Sequence, residues 1–165
     1  MEIDILFDDP AWEATALEPL AGAAFRASFA ALDLPADRFI ISVLACDDAR
    51  IAMLNGEFRG KDTPTNVLSW PAEDRAPDRA GDMPHLPAPA AQDPPIELGD
   101  IALALGVITR EASEAEKSFD HHLSHLLVHG LLHLLGFDHI HDADAALMEG
   151  LETRILARLG IADPY

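Results

Sequence analysis

In the stretch DHHLSHLLVHGLLHLLGFDHIH, His129 and His133 stand four residues apart, a spacing that places two imidazoles on one helix face within reach of a single ion. Gly136 follows and supplies the backbone freedom for a tight turn, so that Phe137 and Asp138 fold back and carry His139 towards the same ion. Three neutral nitrogens with an open fourth position form the pattern of a catalytic zinc site, because structural zinc is usually closed by four protein ligands. Water held in such a site has its pKa lowered to roughly 7, which supplies hydroxide near neutrality. One zinc ion per chain on His129, His133 and His139 is the expectation. His121 and His125 extend the stripe upstream, too far along the helix to share an ion with His139, and are expected to contact the ligands or solvent. Asp138, beside the third ligand, is expected either to orient a histidine or to cap the helix that follows.

The spacing H-x-x-x-H-x-x-G-x-x-H is the one used by zinc endopeptidases of the metzincin group, which makes peptide hydrolysis the rival chemistry. In those enzymes the residue after the first histidine is the glutamate that acts as general base. Here that residue is Gly130, which cannot move a proton. Elsewhere, Arg59 and Lys61 form a locally basic run. A guanidinium can hold a phosphate through two hydrogen bonds, with the lysine adding a point charge, although Arg59 could instead pair with Glu57 or Asp62. Cys46 is the single cysteine and lies in the apolar run FIISVLAC, so it reads as a buried packing residue, and a metal site must be built from histidines and carboxylates.

The elements that position these residues follow from local patterns. Residues 2–7 alternate as a half-buried strand, and Asp9-Pro10 opens a helix with Leu17, Leu20, Ala24 and Phe25 at helical spacing. Residues 38–46 read as a central strand, after which Asp47 or Asp48 caps a helix expected to stop near Asn55-Gly56. Asn66–Trp70 and Gly99–Ala104 read as further strands. The segment between them, residues 71–97, is rich in Pro, Ala and Asp and has little apolar material to offset its ordering entropy, so it is expected to be a flexible hairpin extension. From about Val107 onward the pattern is helical, in the runs VITREASEAEKSF, DHHLSHLLVHGLLHLLG and ADAALMEGLETRILARLG. The expected fold class is α+β, a single domain over 1–165 with a four-stranded mixed sheet packed by about five helices, one of them a metzincin-like zinc helix.

Composition sets bounds on function. A chain of 165 residues, 49% of them apolar, suits one core. No stretch approaches the roughly 18 uncharged apolar residues that span a bilayer, and the opening MEIDILFDDPAWEA has no targeting pattern, so a cytoplasmic protein with no membrane partner is expected. The formal charge of -18 taken alone argues against a nucleic-acid partner. It is unevenly spread, since residues 1–20 carry six acids and no Lys or Arg, which leaves room for a small cationic cleft around Arg59 and Lys61.

The run His129-Gly130-Leu131-Leu132-His133-Leu134-Leu135-Gly136-Phe137-Asp138-His139 closely resembles the signature H-G-x-L-H-L-x-G-[YH]-D-H of the YbeY family of bacterial rRNA maturation factors, with Phe137 at its variable aromatic position. Two further blocks match in order: Leu54-Asn55 through Phe58-Arg59-Gly60-Lys61-Asp62, Thr63-Pro64-Thr65 and Val67-Leu68-Ser69-Trp70, then Leu98-Gly99-Asp100-Ile101. The resemblance implies an α+β fold, zinc on the three histidines, and single-strand-selective RNA cleavage in rRNA maturation and ribosome quality control. It makes Arg59 the phosphate-facing arginine, adds Lys61 to substrate binding, and assigns catalysis to Arg59 and His129. The implied partners are single-stranded or precursor rRNA, the small ribosomal subunit and its assembly factors. A zinc metallopeptidase and a non-catalytic, zinc-stabilised assembly factor are the alternatives. Asp100 is expected to be structural, and Trp70 a core aromatic rather than a base-stacking platform. Where the family usually has Asp before Val-Leu-Ser, this chain has Asn66, which serves if the residue only hydrogen-bonds the loop and does not if it assists catalysis.

Overall fold

The computed structural model describes residues 1–165. In chain order it contains β1 (Glu2–Phe7), a short 3-10 turn, α1 (Leu17–Ala31), a second 3-10 turn, β2 (Phe39–Cys46), α2 (Asp48–Arg59), β3 (Val67–Pro71), β4 (Ile96–Ala104), α3 (Leu105–Glu114), α4 (Phe119–Leu134) and α5 (Asp142–Arg158). The strands form one sheet in the order β1-β2-β4-β3. β1 and β4 run parallel to β2, while β3 pairs antiparallel with β4, so the sheet is mixed. The α+β fold with four strands and five helices is the one expected.

Alternation along the strands separates two apolar layers. Phe39, Ile41, Val43 and Ala45 of β2 and Ile101 and Leu103 of β4 face the larger core with α1, α4 and α5. Cys46, Ala102 and Ala104 point the other way, onto Ile51 of α2 and Leu68 of β3. α4 is central to the larger layer. Leu123, Leu126, Leu127, Val128, Leu131, Leu132 and Leu134 are all buried, and each fully buried leucine contributes roughly 1.5–3 kcal/mol. His129 and His133 therefore ride on a helix held from several sides. β1 lies at the sheet edge and exposes Glu2, Asp4 and Leu6.

Several element boundaries differ from the sequence expectation for identifiable reasons. The helix after β2 does not stop at Asn55-Gly56 but runs on to Arg59, where Gly60 adopts the left-handed conformation with φ of 70°. Asn55 does not cap it; the buried Asn55 side chain donates sideways to the carbonyl of Thr63 at 2.9 Å and ties the helix to the following loop. The first helix is divided. Pro10–Ala14 form a 3-10 turn under the Asp9 cap, and α1 starts only at Leu17. α3 begins at Leu105 and ends at Glu114, earlier at both ends than the run 107–119, because Ser118 caps α4 by accepting from the His121 amide.

Between Pro71 and Ile96 there is no helix or strand, and the segment joins the antiparallel pair β3 and β4. It is nonetheless attached to the body. The Gly81 amide donates to Asp144 Oδ1 of α5 at 2.7 Å, and within the segment the His85 amide donates to the carbonyl of Arg75 at 2.9 Å. No helix is long and apolar enough to cross a membrane.

Candidate metal centre

α4 brings the rings of His129 and His133 to a centroid separation of 4.6 Å. The chain then turns at Gly136, whose φ of 102° is open only to glycine without strain, and the Phe137 amide closes the turn on the Leu132 carbonyl at 3.0 Å. A Cβ at Gly136 would lie 2.7 Å from the Arg75 carbonyl oxygen, so the glycine also lets the β3–β4 segment approach the turn. His139 arrives with its ring 5.3 Å from His129 and 5.0 Å from His133. One ligand atom from each of the three lies within 4.8 Å of the others.

Proton positions decide what this cluster can hold. His129 Nδ1 is 2.8 Å from Glu152 Oε1, and His133 Nδ1 is 3.0 Å from the carbonyl oxygen of Phe137. A carboxylate and a carbonyl only accept, so in both rings Nδ1 carries the proton and Nε2 is a bare lone pair. These two Nε2 atoms face each other at 3.0 Å. Two lone pairs at that distance repel unless a cation lies between them, and His139 offers a third donor on the same side. The donor set of three neutral imidazoles suits zinc and its neighbours among the divalent transition metals. Burial, followed by the charges of His129 and His139, lowers the His133 pKa to about 4, so this imidazole is neutral at physiological pH and ready to ligate.

Glu152 of α5 was not singled out from sequence. It is fully buried and accepts from His129 Nδ1, from His125 Nε2 at 2.7 Å and from the Tyr165 hydroxyl. Burial alone would raise its pKa, but the hydrogen bonds from His125, His129 and Tyr165 outweigh it and hold the carboxyl at about 2. The signal was present in the helical register of α5, where Glu152 falls on the face of Met148, Leu151 and Ile155. A carboxylate on an apolar face is buried only when paired. The histidine stripe also needs one change. His121 is exposed, and the helix turn presents His122 instead, 3.0 Å from Glu111 Oε1.

The histidines open into a cleft of about 1110 Å³ that is also lined by Arg59, Asn66, Ser69 and Trp70. Arg59 is exposed and makes no ion pair, whereas Arg75 and Arg110 do. Lys61 lies on the exposed loop beyond Gly60 and does not line the cleft. The cleft is not cationic, because Glu73, Asp74, Asp78, Asp82, Asp138 and Asp144 outnumber Arg59 and Arg75 in its wall. Asp138 neither orients a ligand ring nor caps α5. Its Oδ1 accepts from the His139 amide at 2.7 Å, and His141 occupies the cap position. Asn66 makes the loop hydrogen bond, accepting from the Val67 amide at 2.7 Å, while its Nδ2 donates to Glu111 at 3.0 Å. Trp70 is half-buried at the cleft wall with Phe58 edge-on to it at 5.4 Å. Asp100 is exposed on β4 outside the cleft. Cys46 is buried as expected, with burial and then Asp8 and Asp47 pushing its thiol up to about 12.

A family profile described as Endoribonuclease YbeY matches residues 8–160. A protein of that name from Dinoroseobacter shibae is 63% identical over 164 residues, covering 99% of this chain and 90% of its own length. Another from Jannaschia sp. is 62% identical over 165 residues, covering 100% of both chains. The solution structure of TM1509 from Thermotoga maritima superposes with a TM-score of 0.61 at 22% identity, covering 95% of this chain and 88% of the other, a likeness that speaks to the fold.

Proposed function

The chain belongs to the Endoribonuclease YbeY family, and from that premise we propose that it is a zinc-dependent endoribonuclease selective for single-stranded RNA, with the ion held by His129, His133 and His139. The observation that carries the metal reading is the pair of bare Nε2 atoms at 3.0 Å with His139 beside them. A divalent ion held there supplies positive charge for a phosphoryl oxygen and acidity for water. The remaining roles fall to the chain itself. Arg59, unpaired on the cleft wall, holds a phosphate through its two-pronged guanidinium and stabilises charge that grows on the phosphate oxygens. His129, its ring fixed by Glu152, would contribute to catalysis as a ligand that keeps the ion at the cleft. Lys61, one turn-residue beyond Gly60, adds charge to the approach of the RNA backbone.

Peptide hydrolysis is not supported by position 130. A Cβ there would lie 3.1 Å from Ile101 Cδ1, so this side of α4 faces the sheet and a carboxylate base on it would point into the core. Family membership supports a wider role in which precursor rRNA is the substrate, the small ribosomal subunit and its assembly factors are the partners, maturation and quality control are the processes, and the cytoplasm is the compartment.

The test combines metal content with cleavage. His129→Ala, His133→Ala and His139→Ala should each reduce bound zinc well below one per chain and abolish cleavage of a single-stranded RNA, because two imidazoles make a poor site. Any of the three variants that keeps a full equivalent of zinc would sink the assignment.

A further inference from the structure

Glu152 is joined to the metal-site histidines on one side and to the segment following α5 on the other. That segment is a built structure. The Ile161 amide closes on the Leu156 carbonyl at 2.9 Å, and Asp163 Oδ1 accepts from the Tyr165 amide at 2.9 Å. The result returns Tyr165 over α4, where its ring meets His125 edge-on at 5.6 Å and its hydroxyl donates to Glu152 Oε2. His125 Nε2 donates to the same oxygen at 2.7 Å, which leaves Oε1 for His129 Nδ1. We propose that Glu152 is the positioning residue of the metal centre and that Tyr165 acts through it: His125 and Tyr165 brace one carboxylate oxygen so that the other fixes the ring and tautomer of His129. The inference rests on the three-histidine site proposed above.

The chemistry is that of a ligand's outer partner. An imidazole whose Nδ1–H is held by a carboxylate presents Nε2 in one direction and is a more basic donor, and losing such a partner typically costs roughly 10- to 100-fold in metal affinity. A buried carboxylate with a single donor would be free to rotate about its terminal torsion, whereas three donors at fixed positions define its plane. His125, His129 and Glu152 are close enough to hold an ion of their own. Their contacts of 2.7 and 2.8 Å are hydrogen-bond lengths with a proton between nitrogen and oxygen, so a single site per chain is expected.

Zinc affinity measured by competition with a chromophoric chelator tests this in the full chain, with circular dichroism to verify folding. The parental chain should bind one zinc. Glu152→Gln, nearly isosteric, should bind it roughly 10- to 100-fold more weakly, and Tyr165→Phe, which keeps the ring and removes only the hydroxyl, roughly 2- to 10-fold more weakly, parental affinity in Tyr165→Phe overturning the role of the tyrosine. Tyr165→Phe should add nothing in the Glu152→Gln background, since the hydroxyl acts only through the carboxylate. Additive losses in the double variant would reduce Tyr165 to a packing residue and overturn its role. Parental affinity in folded Glu152→Gln, or two zinc ions per parental chain, would overturn the inference while leaving the three-histidine site standing. A parental chain that binds no zinc would overturn both.

Discussion

Arg59 lies on the last turn of α2 with its side chain in the cleft wall and no carboxylate bound, although Glu57 and Asp62 are near it in sequence. A guanidinium without an ion pair, in the same cleft as the three histidines, supports the proposed phosphate contact. Arg59→Ala should leave zinc content and folding unchanged while lowering RNA cleavage by roughly 10² to 10³ fold, the loss typical of one donor aimed at developing charge. Arg59→Lys should restore only part of that rate, because an ammonium cannot reproduce a two-pronged contact. Arg59→Ala protein that cuts single-stranded RNA at the parental rate would remove the residue from the mechanism. That His129, His133 and His139 come together was legible in sequence from a spacing of four and a glycine turn, whereas the short basic run left Arg59 open to an ion pair with Glu57 or Asp62 and only the family resemblance singled it out. Glu152 and Tyr165 were not legible, since their meeting with α4 depends on how α5 and the segment beyond it pack.

α4 packs on β4 at Gly130, where an added Cβ would approach Ile101 at 3.1 Å. Gly130→Ala should therefore raise helix propensity yet destabilise the fold by about 1–3 kcal/mol, because the helix or the isoleucine must give way in a full core. Chemical denaturation reads this directly, and a variant more stable than the parent would show that the contact yields freely. The same shift would move His129, the preceding residue, so zinc affinity should fall with stability. Strands and the apolar helices were legible from their periods, but ends were less so. Gly56 looked like a stop in sequence and is a helical residue, because the left-handed turn is taken by Gly60 while Asn55 bonds to Thr63. The 71–97 segment has a loop's composition and none of the repeating pattern that would predict its bonds to Asp144 or its fit against Gly136.

For the molecule as a whole, the charge of -18 and an acidic cleft wall set the terms on which RNA is met. Of the two arginines in that wall, Arg75 is paired with Glu73 at 3.1 Å, which leaves Arg59 as the free cation. Each neutralised phosphate of a single strand contributes about -0.7 to the slope of log affinity against log salt, so a slope on the order of -1 is expected for RNA binding by the isolated chain. Fluorescence anisotropy over a potassium chloride series measures it. A slope steeper than about -3 would mean a basic surface that the fold does not have. The acid that makes RNA a reluctant neighbour has a second effect at the opposite side of the sheet. β1 is an outer strand whose free backbone N–H and C=O groups could template a strand from another copy, and its exposed Leu6 would favour that association. Glu2 and Asp4 project from the same strand, so two such edges brought together would set carboxylates against carboxylates, and the sheet is discouraged from growing into an aggregate by the charge that its first residues carry.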